Sequence, residues 1–559
     1  MLDLPQETRD LIRQARTVGG IPPEQYQVRF RSVAELLDRR AAETPDKPFL
    51  IFFDDDRNTR EVYSFERFNR RVNQVANFLR HELGVQRGER VATVAFNHAD
   101  TVLVYFACWK LGASVAPQNV SEDDNRIAFI LQNAGCRVAL VRPEYCERVE
   151  RLRDRAPRLE RIVVMDGKDY PALVDRQPDD FRPPAAMMLE DEALLVYTSG
   201  TTGAPKGVQL IQYNMLVDAR GICDWQEVTG DQRWMCVLPI HHVNGTIVTL
   251  VTPMYAGGSV VLNRAFKTNL FWQRIAEEQV HIVSVVPTLL QFLSEAGEDT
   301  SGYKLDQLRH LICGAGTLAI SVARRFETTF GVPILHGYGL SETTCYSCFL
   351  PVGLSPDEHR HWIEDFGYPS IGVPIAVNEM AIHDAEGEPV RDGERGEIVV
   401  RGHNVMIGYF QRPEANAETF RHGWFCTGDE GFVQRDEAGR PFFFISGRIK
   451  ELINRGGVKY SPFEIEEVLL AMPGVNVGLA VAFPNKWYGE EVGAYVVREE
   501  NAAITEADVL AHCRRHMPFA KSPKAVVFGS EVPVTTTGKY QRLKLRELFV
   551  QWADTQFRE

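Results

Sequence analysis

At 559 residues the chain exceeds what one hydrophobic core supports, so more than one domain is expected. Its 44% apolar and 25% charged residues are those of a globular protein, and a formal net charge of −13 excludes the broad basic face that nucleic-acid binding needs. Any anionic ligand must therefore be held by a local concentration of Lys and Arg.

The N-terminus, MLDLPQETRDLIRQAR, alternates acids and bases without an apolar run, so it reads as a surface helix and not as a signal peptide. Helical and strand patterns then alternate. RVNQVANFLRHEL (helix) precedes GERVATVAFN (strand), TVLVYFACWKLGA precedes SVAPQN, and RIAFILQNAG precedes CRVALV. The same pairing recurs in FWQRIAEEQ with HIVSVVP and in AISVARRFETTFG with VPILHGYG. This alternation predicts parallel sheets covered by helices, with ligands in the loops at the carboxyl ends of the strands. The longest apolar stretch, Ile247 to Leu262, is broken by Thr249, Thr252, Pro253, Gly257 and Gly258 and is too interrupted to span a bilayer. After about Asn378 short apolar runs between Asp-Gly and Glu-Gly turns predict a β-rich region. From Lys450 a compact tail of helix, two strands and helix follows, with Arg448 to Glu451 as linker. Ten cysteines without framework spacing and no peroxisomal tripeptide in TQFRE point to the cytoplasm. The CxxC of Cys345 and Cys348 has no second pair to make a zinc site, and the i, i+2 spacing of His359 and His361 puts them on different helix faces.

The most informative segment is YTSGTTGAPKG, Tyr197 to Gly207. Gly200, Gly203 and Gly207 let the backbone expose its N–H groups, Thr198, Ser199, Thr201 and Thr202 add hydroxyl donors, and Lys206 supplies a mobile charge. Together they make a polyphosphate grip. It is not the Walker A pattern, because Lys206 is followed by Gly207. Five more segments follow in order: LPIHHVNG (238–245), HGYGLSETT (336–344), GWFCTGD (423–429), SGRIKELINRGGVKYSPFEIE (446–466) and PVTTTGKYQR (533–542).

This ordered set, spread over roughly residues 30 to 550, closely resembles the adenylate-forming superfamily of acyl-CoA synthetases, peptide-synthetase adenylation domains and beetle luciferases. The resemblance implies an α/β protein: a large N-terminal domain (1–448) of two doubly wound α/β subdomains plus a β-rich subdomain, and a small mobile C-terminal α+β domain (449–559) hinged near Lys450. It implies attack of a carboxylate on the α-phosphorus of ATP, with Mg²⁺, and transfer of the acyl group to coenzyme A. The alternative acceptor is the phosphopantetheine of an acyl carrier protein. The short segment from Asp429 to Ser446, without the insertion typical of acyl-AMP ligases, favours CoA.

By the same resemblance Tyr338, between Gly337 and Gly339, offers a flat face to adenine, and the Gly314–Ala315 loop borders the nucleotide. Glu342 is the Mg²⁺ ligand and Thr343 a hydroxyl near the α-phosphate. Asp429 grips the ribose, although T-G-D also encodes an ordinary Asx turn, and Arg448 lies at the same edge. Lys539 acts in adenylation with Thr198, Lys206 and His242 as the remaining catalytic set; rotation at Lys450 then exchanges Lys539 for the Gly456–Gly457 loop. Lys450, Arg455 and Lys459 form a basic cluster, either for CoA phosphates or as a solvated face. His242 resembles the gate between acyl pocket and CoA tunnel. Val243, Asn244, Gly245, Val286, Pro287, Gly314, Gly316, Gly339 and Leu340 line the acyl site, whose small and apolar character favours an uncharged acyl or aryl tail. The absence of an acid at His241-His242 argues against an α-amino acid. The segment Tyr346 to Tyr368 is individual to this chain, either a lid over the acyl site or an exposed helix.

Overall fold

The computed structural model describes residues 4–558 apart from 168, 184, 199–204 and 535–539. Three sheets organise it. The first has a parallel centre, in the order Glu192–Thr198, Ser114–Gln118, Arg90–Val94, Val138–Val141 and Arg161–Val164, extended at one edge by the antiparallel strands Lys206–Ile211 and Gly408–Tyr409. The inner strands Ser114–Gln118 and Val138–Val141 are continuously buried, as parallel strands covered on both faces must be. The helix Ala99–Leu111, apolar but for Asp100, Thr101 and Lys110, is buried except at Asp100, and the αL Gly112 ends it.

The second sheet runs through thirteen strands. Its parallel centre, Ser259–Asn263, Arg233–Cys236, Ile282–Val285, His310–Cys313 and Ile334–Tyr338, carries the expected helix–strand alternation. The β-rich region does not stand apart. Cys348–Phe349 and Ser370–Pro374 continue the hydrogen bonding from Ile334–Tyr338 to Pro441–Arg448, Phe425–Arg435, Gly396–Gly402 and Asn378–His383. One ladder therefore connects the strand ending in Tyr338 with the strands carrying Asp429 and Arg448.

The N-terminal helix Gln6–Ala15 lies on this β-rich end, burying Thr8, Ile12 and Ala15. The segment after Tyr346 is no lid. Its helix Pro356–Glu364 starts with a Ser355/Glu358 capping box, and Trp362 stacks on Phe442 with ring centroids 3.6 Å apart. His359 pairs with Glu327 at 2.8 Å and His361 with Asp365 at 2.6 Å.

The third sheet belongs to the tail: Val458–Tyr460, Ile453–Arg455, Gly489–Arg498 and Val475–Asn485, with Ala525–Gly529 parallel to Gly489–Arg498. The helices Pro462–Leu470 and Glu506–His516 cover one face around Ile465, Leu469, Val509 and Cys513. Among the described residues no helix is long and apolar enough to cross a membrane.

Candidate active site

The carboxyl ends of the second sheet's strands meet the edge of the first. Tyr338 ends its strand there and donates its hydroxyl to Asp429 Oδ2 at 2.6 Å. Asp429 is paired in register with Arg448, whose Nε faces Oδ1 at 3.2 Å. That contact lacks hydrogen-bond alignment, so Oδ1 is a buried acceptor without a hydrogen-bond partner among the described residues. Burial, then the neighbouring Asp429, pushes the Tyr338 hydroxyl pKa well up, and Asp429 pushes that of Arg448 up. The phenol stays neutral and the guanidinium charged.

Glu342 sits in a single 3₁₀ turn, Ser341–Thr343, and is almost fully buried. Its Oε1 accepts the Tyr409 hydroxyl at 2.7 Å, and its main-chain carbonyl accepts the N–H of Met406. Tyr409 stands opposite Val208 in the antiparallel pair, and Lys206 Nζ lies 4.7 Å from its ring centroid. Lys206, Tyr409 and Glu342 are thereby brought into one line, a cation on the face of a ring whose hydroxyl holds a carboxylate. Sequence reasoning missed Tyr409, which no quoted segment contains and whose edge-strand pairing only the structure shows. Thr198 faces Lys206 across the strand pair. Ser199, Gly200, Thr201, Thr202, Gly203 and Lys539 lie outside the described residues.

Several expected roles change in detail. Thr343 is fully buried and its hydroxyl bonds the Leu340 main chain, accepting from its N–H at 3.0 Å and approaching its carbonyl at 3.2 Å. In this arrangement the hydroxyl shapes the turn. Gly337 and Gly339 answer to the protein's own packing and not only to a flat ligand: a Cβ would come within 2.4 Å of the Phe349 ring at Gly337 and within 1.7 Å of the Cys345 carbonyl at Gly339. Arg455 does not belong to a free basic cluster. Its Nε pairs with the buried Glu491 at 2.7 Å and its guanidinium covers the Tyr488 ring at 3.8 Å, whereas Lys450 and Lys459 are exposed.

On the other side of Tyr338 the residues read as the acyl site converge. His242 donates its main-chain N–H to the Pro239 carbonyl, and its ring lies 4.4 Å from that of His241. Burial lowers the His241 pKa to about 4, so this imidazole is neutral. Val243 and Asn244 are buried, and Gly245 is compelled by contact with Pro239, whose carbonyl a Cβ would meet at 2.4 Å. After the strand His310–Cys313, Gly314 packs against Tyr346, Ala315 has φ +64°, and Gly316 approaches Pro287. Leu340 is half-buried beside them. The lining is less apolar than the sequence suggested. Ser284 donates to Asn244 Oδ1 at 2.7 Å, and Asn244 Nδ2 donates to the Tyr346 hydroxyl at 3.2 Å, all three side chains being buried.

The tail meets the large domain through polar contacts. Glu464 accepts from Tyr368 at 2.5 Å and pairs with Arg395, while Lys521 of the tail itself pairs with the same carboxylate; Glu467 accepts the Ile320 N–H at 2.9 Å; Gln291 donates to Asn476 at 2.6 Å. Arg542, three residues past Lys539, is fixed by Glu466 at 2.7 Å and Glu451 at 3.3 Å. Gly456 and Gly457, both at positive φ, form an exposed hairpin tip, with nothing within 4 Å of a Cβ at Gly457.

A family model described as "AMP-binding enzyme" matches residues 37–410, and one described as "AMP-binding enzyme C-terminal domain" matches residues 464–539. Sulfoacetate–CoA ligase of Cupriavidus necator is 33% identical over 519 residues, 92% of this chain and 97% of that protein. Feruloyl-CoA synthase of an Amycolatopsis species is 32% identical over 486 residues, 87% and 94% of the two chains. The crystal structure of the anthranilate CoA ligase AuaEII in complex with anthranoyl-AMP superposes with a TM-score of 0.83 at 26% identity, covering 95% of this chain and 99% of that one. The chain belongs to the AMP-binding enzymes, the adenylate-forming superfamily, and is of their acid–CoA ligase type.

Proposed function

We propose that the named residues divide the reaction of an ATP-dependent acid–CoA ligase between two faces of the Tyr338 strand. The carrying observation is the buried Asp429 Oδ1, an acceptor without a hydrogen-bond partner beside a charged Arg448. Burying such an acceptor costs about 1–3 kcal/mol unless a ligand donates to it. A ribose hydroxyl supplies that donor, which favours the nucleotide reading over an ordinary turn. Tyr338 keeps Asp429 oriented and offers its ring to the base.

On the phosphate side Lys206 neutralises charge where pyrophosphate departs, and Thr198 stands across from it. Glu342 fits a Mg²⁺ site, since one oxygen is fixed by Tyr409 and Mg²⁺ favours one or two carboxylates completed by phosphate and water. The ion, when bound, screens the triphosphate from the incoming carboxylate. Reaction then needs alignment of two anions, which Lys539 would complete from the tail. His242 would gate the approach of the thiol once rotation at Lys450 replaces Lys539 by the Gly456–Gly457 tip, and the boundary between residues 448 and 449 belongs to this reading. The direct Phe425–Arg435 and Pro441–Arg448 hairpin supports CoA as acceptor over a carrier protein. Cytoplasmic placement is also proposed, supported by ten free thiols.

The test is pyrophosphate release over a panel of aliphatic and aromatic acids, with and without CoA. Turnover that requires CoA, with thioester found by mass, is the expected result. Pyrophosphate release that yields only bound acyl-AMP, unmoved by CoA, would replace this reading by carrier-protein loading.

A further inference from the structure

The acyl side of the site contains a residue that no motif singled out for a role. Tyr346 is 2% exposed, and its hydroxyl lies 2.5 Å from where a Cβ on Gly314 would stand. The phenol thus occupies the space between the Gly314 loop and Asn244, both read as lining the acyl site. It is held from three sides. Asn244 donates to its oxygen, its ring packs on Phe349 with centroids 4.3 Å apart, and its main-chain carbonyl accepts from Asn404 Nδ2 at 3.0 Å.

The support beneath is polar and buried. The same Asn404 amide donates to Asp218 Oδ1 at 2.8 Å, and the Asn404 carbonyl accepts the hydroxyl of Thr344. Thr344 has φ +65°, a conformation a β-branched residue adopts only where its surroundings enforce it. The ordered cost of this arrangement makes Tyr346 a fixed wall and not a side chain that swings away to admit a long chain.

We infer that Tyr346, with Asn244 and Ser284, closes the acyl site and selects a compact carboxylic acid bearing a hydrogen-bond-accepting oxygen at its distal end. This rests on the ligase reading of the site. Volume comes from the ring, and polarity from what the trio leaves open. Ser284 donates to Asn244 Oδ1 and one Asn244 N–H goes to the phenol oxygen. The Tyr346 hydroxyl also engages Ser284, so among the described residues it is the second Asn244 amide N–H that remains to meet the substrate. Such a donor rejects a tail that cannot accept far more sharply than an apolar wall rejects an extra methylene, which is worth about 10–200-fold.

The experiment measures kcat/KM for thioester formation over straight-chain acids of increasing length and over short acids with and without a distal oxygen, for wild type, Tyr346→Ala and Tyr346→Phe. Wild type is expected to lose roughly tenfold or more per methylene beyond the wall, and Tyr346→Ala to raise the ratio of long to short acids about 10–100-fold. Tyr346→Phe, which keeps the ring but removes the hydroxyl that holds the Asn244 amide, is expected to retain the length limit and lower kcat/KM for the oxygen-bearing acid about tenfold. A wild-type enzyme that ligates long acids as well as short ones overturns the proposal while leaving the ligase reading intact. A length profile unchanged in a folded Tyr346→Ala does the same. Absence of thioester with every acid overturns the ligase reading, and the proposal with it.

Discussion

The nucleotide side of the large domain and the contact between that domain and the tail are both built from charged residues, in opposite ways. Around Asp429 and Glu342 the carboxylates are buried, oriented by tyrosine hydroxyls and delivered by strands in register. Around Glu464 one carboxylate serves Tyr368, Arg395 and Lys521, and Arg395 remains 42% exposed. Buried, singly oriented groups are costly to displace and keep one geometry. Partly exposed pairs contribute little net stability and exchange partners readily. Charge stabilisation of a transition state needs the first kind, and the proposed parting of this interface between two half-reactions needs the second.

The sharpest way to break this comparison is to remove a carboxylate from the fixed region. Asp429→Ala leaves Arg448 and the Tyr338 hydroxyl without their partner and is expected to lower kcat/KM for ATP about 100-fold or more. Pyrophosphate release at varied ATP reads it. Glu342→Gln is expected to cost a similar factor and to flatten the dependence on Mg²⁺ concentration, because the neutral amide still accepts from Tyr409 but binds the cation weakly. A tenfold effect or less at both sites would put them in the same class as the domain contact.

Next in size is the exposed tip. Gly457→Leu meets no neighbour in the present arrangement and carries strain of only about 1–2 kcal/mol from its positive φ. It is expected to slow thioester formation from supplied acyl-AMP tenfold or more while adenylation stays within about twofold. Lys539→Ala is expected to do the reverse. Equal losses of both half-reactions in either variant would argue against an exchange of the two segments.

How much of this the sequence disclosed depended on how far apart the partners lie. The strand and helix alternation and the six ordered segments are local, and they were legible; Asp429, read as part of a T-G-D turn, lies inside the strand Phe425–Arg435, paired with Arg448. Tyr409 was not, since its meaning comes from Glu342, 67 residues earlier, and from an edge pairing with Val208. Arg455 was misread for the same reason: its partner Glu491 sits on another strand 36 residues on. Thr343 shows the converse, a hydroxyl whose contact to its own turn at Leu340 no motif disclosed. The acyl wall was hidden most deeply, because Ser284 comes from the strand Ile282–Val285, Asn244 from the start of the helix Asn244–Val251, and Tyr346 from the loop before Cys348–Phe349.

The smallest effects are expected at the domain contact. Glu464→Gln should leave stability within about 1 kcal/mol and lower adenylation a few-fold by weakening the hold of Tyr368 and Arg395 on the tail. Glu467 adds a pH dependence. Burial, opposed by the Ile320 N–H and by Arg324 and reinforced by Glu466, raises its pKa from 4.5 to about 7. A carboxyl with a raised pKa in the docked state binds its proton more tightly there than when the domains part. Docking is therefore favoured at low pH, weakens as pH rises from about 4.5 to about 7, and loses nothing further above that. The ratio of adenylation to thioester rates in wild type is expected to fall across this window, whereas Glu467→Gln, uncharged throughout, should hold it level. An identical slope in the variant would place the pH dependence elsewhere, and with it the claim that this contact, unlike the nucleotide pocket, is tuned to let go.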